Sequence, residues 1–258
     1  SARPSRAAKQ FQPEVVAQVA GKHEQIAGGL IQDILSQRYR VGERLPSERD
    51  LAARFDANRG AVREAMKKLE QLGLVNVQPG GARVNEREAA SIEVIGHMLA
   101  QGEQPDMHLV DQILVVINSL LGIAAEQTLE LASDADIQNI RNLTEPLARG
   151  DLSAAEHTLA RFELMHAIML SSGNLPLQLI ARSLFEQFAP HVSQLAAVAE
   201  LGVNREAYAT FAKQLDLALK NQDAPALRAS FAGLSNLNRQ TMLRAFETAY
   251  QAQEATQT

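Results

Sequence analysis

Residues 47–73 read SERDLAARFDANRGAVREAMKKLEQLG, and the organisation of the chain follows from this stretch. Ser47 with an acid three residues on, Asp50, resembles the pattern that opens a helix, with Asp in place of the usual Glu or Gln. Leu51, Ala52 and Phe55 then make the inward face of one short helix. After Asp56-Ala57, Asn58 is a good N-cap for a second, in which Val62, Ala65, Met66 and Leu69 recur as a buried stripe. Gly73 closes it. Two helices joined by a turn of about three residues, all within Ser47 to Leu72, have the spacing of a helix-turn-helix.

The flanks extend that motif. Upstream, Ile26, Leu30, Ile31, Ile34 and Leu35 recur at helical spacing between Lys22 and Arg38, and Tyr39 to Pro46, with Gly42 and Pro46, reads as an extended linker. Downstream, residues 74–85, LVNVQPGGARVN, form two alternating segments around Pro79-Gly80-Gly81, a β-hairpin pattern. Three helices and a hairpin make a winged helix-turn-helix over residues 22–86. Residues 1–21, with Pro4, Pro13 and scattered basic side chains, are expected to be a flexible arm.

Beyond Glu86 the strand signals stop. Breakers at Gly102-Pro105, Ala132-Asp136, Arg149-Asp151, Ser172-Pro176, Ala199-Val203 and Asn221-Pro225 separate helical segments such as Leu109 to Glu130 and Leu152 to Ser171. Short connections imply antiparallel neighbours. The expected fold is therefore mainly α, an N-terminal winged helix-turn-helix plus a C-terminal all-helical antiparallel bundle. A linker helix and connection would occupy 87–105, the bundle 106–250 and a flexible tail 251–258. Aromatics at 4% of the chain, with no Trp, fit a helical body rich in Ala, Leu, Gln and Glu.

The net charge of −5 is unevenly spread, about +4 over residues 1–90 and −9 over residues 91–258. A basic module on an acidic body suggests a local footprint for phosphate. The absence of Cys excludes disulfides, thiolate nucleophiles and Cys-ligated metal sites. The N-terminal stretch lacks a continuous apolar core, and no run of the roughly 20 apolar residues of a membrane span is evident. The expectation is a soluble, cytoplasmic chain without a membrane partner. The body shows no G-x-S-x-G, no phosphate-binding Gly-rich loop and no H-E-x-x-H, so an enzyme is not expected.

Arg49 lies in the second helix, while Arg59 and Arg63, four apart near the start of the third, share a face away from the Val62/Met66/Leu69 stripe. Inserted in the major groove, that face would offer guanidinium groups to guanine O6 and N7, each pair giving about 1–3 kcal/mol of discrimination. Arg49 suits phosphate or a neighbouring base. Asn58 and Gly60 allow close approach at the helix start, Gly80 and Gly81 let the wing approach the minor groove, and Arg83 could hold phosphate. Any one of these arginines alone could be a solvated helix face. Three of them on a motif of this spacing, followed by a Gly-rich hairpin, point to double-stranded DNA.

At these residues the chain resembles the GntR family of bacterial regulators, through LPSERDLA and NRGAVREAMKKLEQLGLV over about Lys22 to Val84. The resemblance implies DNA-contacting roles for Arg49, Arg59, Arg63 and Gly80, and a homodimer on a two-fold operator. The helical remainder, with MHAIMLSSGN at 165–174, resembles the FadR subfamily and its effector-binding domain.

Many FadR-like domains hold a divalent metal with one Asp and three His. By this resemblance His166 takes the first His position, but Phe162 stands where the acid is expected, and residues 192–258 contain no His. No metal or other cofactor is expected, although Glu163, His166 and His191 form an alternative constellation. The subfamily's Arg on the first long helix is also missing, since no Lys or Arg occurs between Glu88 and Ile140. Gln112, Asn118, His166 and His191 are the polar candidates left for an effector of apolar, acyl or organic-acid type. For His166 a structural role is the simpler explanation, as is an N-cap role for Asn174.

Overall fold

The computed structural model describes residues 21–193 and 203–257. The expected arm, apart from Gly21, and most of the breaker at Ala199-Val203 fall outside them. The chain divides into two compact units, residues 1–91 and 92–258.

In the first unit, helix α1 spans Lys22–Leu35, α2 Glu48–Arg54 and α3 Arg59–Gln71. Both predicted caps form. Ser47 Oγ accepts from the Asp50 amide at 3.1 Å and Asn58 Oδ1 from the Ala61 amide at 2.8 Å, each satisfying one orphan donor of a first turn. α1 packs on α3, burying Ile26, Leu30 and Ile31 with Val62, Ala65 and Leu69. Phe55 and Met66 are only half-buried, not inward as expected. The Phe55 ring rests on α1 where Gly29 leaves room, and the Arg54 guanidinium covers its face at 4.7 Å from the centroid.

Strands β1 (Val75–Gln78) and β2 (Gly81–Val84) pair antiparallel, with Val75 opposite Val84 and Gln78 opposite Gly81. The turn places Gly80 and Gly81 at φ +96° and +125°, conformations that favour glycine. The linker after α1 is more than a spacer. Gly42 N donates to Val84 O at 2.8 Å, Val84 N to Glu43 O at 3.0 Å and Leu45 N to Ala82 O at 2.9 Å, so residues 42–45 strap the free edge of β2. Gly73, at φ +73°, sits so close to the Ala89 carbonyl that a Cβ there would collide with it. A single 3₁₀ turn, Arg87–Ala89, ends the region.

The second unit is helical throughout its described residues: α4 (Val94–Leu99), α5 (Met107–Leu131), α6 (Asp134–Arg149), α7 (Ala154–Ser171), α8 (Leu175–Ser193), α9 (Arg205–Asn221) and α10 (Ala224–Gln257). Asp106, Ser133, Ser153 and Asn204 cap α5, α6, α7 and α9, with a full capping box between Ser153 and Glu156. α9 packs on α6 and α10, and α5 on α10 and α7. Their shared core includes Val110, Ile117, Leu121, Ile140, Leu147 and Leu215.

Two expectations are corrected. α10 runs to Gln257 where a flexible tail was expected from residue 251, because Gln-Ala-Gln-Glu-Ala-Thr-Gln contains no helix breaker. α5 is long and apolar enough to cross a membrane by length and composition. Its Val110, Ile113, Leu114, Ile117 and Leu121 are buried in the bundle core, while Val115, Val116 and Ile123 on the same helix are exposed.

Candidate nucleic-acid interface

Arg49, Arg59 and Arg63 are all exposed. Arg49 and Arg59 make no ion pair with any described residue, whereas the Arg63 Nε donates to both oxygens of Glu48, at 3.1 and 3.3 Å. The contact uses Nε alone, so the two terminal amino groups of Arg63 keep outward donors while the side chain is steered from α2. The scaffold beneath is braced by a different pair: Asp33, 8% exposed, meets Arg54 at 2.7 Å. That carboxylate raises the Arg54 pKa through its hydrogen bond.

The remaining interface residues divide. Asn58 is exposed, and its Oδ1 is engaged as the α3 cap, which leaves its amide nitrogen as a donor for another partner. Gly60 follows it in the first turn of α3. Arg83 projects from β2 and donates to Gly42 O at 3.0 Å, so one of its amino groups also secures the strap. Gly80 and Gly81 carry the Arg44 guanidinium across their backbone; a Cβ on Gly81 would stand 2.8 Å from Arg44 Nε. Arg44 and Glu48 escaped the sequence reading. Their partners lie 15 or more residues away, and no local pattern marks such pairs.

The exposed cations thus lie on α2, the start of α3 and the hairpin. Residues 22–84 match the profile described as bacterial regulatory proteins, gntR family. This unit is similar to the module of the GntR family. The chain is similar to the HTH-type transcriptional regulator Mce2R of Mycobacterium tuberculosis, 34% identical over 93 residues, 35% of this chain and 39% of that protein. The HTH-type transcriptional repressor NanR of an Enterobacter species is 34% identical over 123 residues, 45% of each chain. The chain spans between 22% and 59% of the length of such curated relatives. A solved structure described as "Lar controls the expression of the Listeria monocytogenes agr system and mediates virulence" superposes with a TM-score of 0.52 at 16% identity. It covers 87% of this chain and 98% of that one, and shares the fold.

In the helical body the four effector candidates are not assembled into one site. Gln112 and His166 are exposed, on α5 and α7. His191, half-buried on α8, has its pKa lowered by burial. Asn118 lines an open groove of 480 Å³ between α5 and α10, where its amide donates to Ser235 O at 3.1 Å. Asn174 caps α8 through the Leu177 amide at 3.1 Å, and its own amide donates to Gln127. No cluster of three His, Asp or Glu side chains suited to a metal occurs among the described residues.

The structure instead assembles polar groups that the sequence reading passed over. His157 and Arg161, one turn apart on α7, are buried beside Tyr208 of α9. The Tyr208 ring meets His157 edge-on at 4.8 Å and lies 5.0 Å from the Arg161 guanidinium. Its hydroxyl donates to Asn238 at 2.9 Å and contacts Thr241 at 3.1 Å. The available signal was an arginine inside the otherwise apolar run Leu159-Ala160-Arg161-Phe162.

Proposed function

We propose that this protein is a sequence-specific DNA-binding transcriptional regulator, a cytoplasmic homodimeric repressor of FadR-like type whose operator affinity is set by a small metabolite in the helical body. The observation that carries the DNA reading is the exposed trio Arg49, Arg59 and Arg63 on a capped helix-turn-helix. Arg59 and Arg63 would read base edges from the N-terminal end of α3, while Arg49, Arg83 and the Gly80-Gly81 wing hold the backbone in register. A dimer would present two such helices to a two-fold site. Exposed Val115, Val116 and Ile123 on α5 supply apolar surface for self-association.

A metabolite can release DNA only by binding the DNA-free arrangement more tightly than the DNA-bound one. Expected ligands are apolar, acyl or organic-acid molecules held by the bundle. The test is selection of a binding sequence from random duplexes with the full chain, followed by titration of wild type and Arg59→Ala. Arg59→Ala is expected to lose about 1–3 kcal/mol on the selected site and much less on random DNA. Equal losses on both would remove Arg59 as a base reader. Failure of the chain to enrich any sequence would favour an architectural DNA-binding protein instead.

A further inference from the structure

Of the arginines and lysines in residues 92–258, Arg141, Arg149, Arg182, Arg228 and Arg239 each pair with a carboxylate. Lys213, Lys220 and Arg244 are exposed to water. Among the described residues, Arg161 and Arg205 have neither. Arg161 is 7% exposed, and its neighbours are neutral: His157 Nδ1 at 3.3 Å, the Thr158 hydroxyl at 3.4 Å and the Tyr208 ring. Arg205, half-buried at the start of α9, has a buried Nε without a hydrogen-bond partner. A guanidinium cannot shed its proton, so burying one without a counter-charge is costly.

His157 sharpens the imbalance. It is fully buried, and burial and the two arginines push its pKa down to about 4, so it is neutral at pH 7. Because a guanidinium only donates, Nδ1 accepts from Arg161 and the imidazole proton sits on Nε2. That Nε2 is buried with no acceptor among the described residues. The cluster therefore offers donors from Arg161, His157 and Arg205, with no carboxylate among the groups acting on Arg161 or His157. Arg161 and Tyr208 also line a small cavity whose other walls are mainly apolar, including Leu121, Leu164, Ile168 and Phe231.

We propose that Arg161 is the head-group anchor of a metal-free site for a monocarboxylate with an apolar tail, and that Tyr208 and Asn238 bound the site beside it. One deeply buried positive charge matches one negative charge, and the planar fork of Arg161 suits a carboxylate. The apolar walls suit an alkyl chain. The cavity measures 20 Å³, room for about one water. A tail must therefore part α5, α7 and α10, and that requirement couples occupancy to the shape of the bundle. The regulatory part of this inference rests on the function proposed above; the site itself does not.

The test follows the thermal midpoint of the full chain with sodium butyrate, hexanoate and octanoate, the matching alcohols, and inorganic phosphate. At about a hundredfold excess over Kd, at least one carboxylate is expected to raise Tm by about 5 °C or more, and its alcohol is not. Arg161→Met, or Arg161→Gln should Met not fold, is expected to melt higher than wild type without acid and to lose the shift. No shift from any carboxylate, an equal shift from an alcohol, or a shift from phosphate alone overturns the proposal. So does a replacement of Arg161 that only destabilises or unfolds the chain, which would mark it as a structural anchor. A carboxylate shift that leaves operator affinity unchanged keeps the site and breaks the regulatory reading. Operator selection without any Tm shift keeps the DNA reading and breaks the site.

Discussion

In the N-terminal unit Arg49 and Arg59 stand in solvent without ion pairs to any described residue, while the carboxylate of Asp33 is buried against Arg54. The helical body inverts this arrangement. Its exposed arginines are mostly tied to acids, as in Arg149 with Glu145 and Arg182 with Glu186, while Arg161 is buried among neutral groups. A free surface cation costs little and waits for a polyanion that approaches from water. A buried cation without an acid selects a ligand small enough to enter with it. On the functions proposed above, the two units would take anions of very different size by placing the same side chain at different depths.

Acid gives the largest test of that contrast. Unfolded, His157 titrates near its ordinary 6.5, and in the folded body at about 4. As pH falls, the unfolded chain takes up this proton first. The stability associated with neutral His157 is whole above pH ~6.5 and drains away towards pH ~4, a loss on the order of 3 kcal/mol. Melting curves of wild type and His157→Phe between pH 7 and 4 are expected to converge as the wild type weakens. Parallel curves would mean that burial does not hold this imidazole neutral.

On the module, replacing the free Arg59 by Ala is expected to lower operator affinity by about 1–3 kcal/mol, read by fluorescence anisotropy on selected and random duplexes. A smaller step concerns Asn58, whose cap fixes the start of α3. Asn58→Ala is expected to cost about 1 kcal/mol of stability, and Asn58→Gly only a few tenths. Should Asn58→Ala weaken operator binding far more than it lowers stability, the residue touches DNA as well as capping. Arg83→Ala is expected to have the mildest effect, lowering affinity similarly on every sequence and reducing the salt slope by about one. An unchanged slope would leave Arg83 with only its bond to Gly42.

What could be read from the sequence was local. Ser47 and Asn58 announced caps three residues from the amides they bind, the Gly80-Gly81 turn announced the hairpin, and the breakers at Ala132 and Arg149 fell where helices end. Missed features join distant segments. The strap of residues 42–45 on β2 is made of backbone hydrogen bonds, to which any side chain at those positions is nearly indifferent. The His157-Arg161-Tyr208 cluster needs the packing of α7 on α9, which periodicity does not specify. The polar candidates Gln112 and His166 show the complementary difficulty: apolar flanks suggest a buried face, but helix phase leaves both side chains exposed.

The strap also bears on how these modules behave when crowded. A two-stranded wing has two open edges, and an open edge is a template on which another chain can add a strand. Residues 42–45 occupy the β2 edge, and on the β1 side the Glu70 carboxylate accepts the Val77 amide at 3.0 Å. Copies brought together on neighbouring sites of the proposed operator would therefore meet without a ready edge for sheet extension.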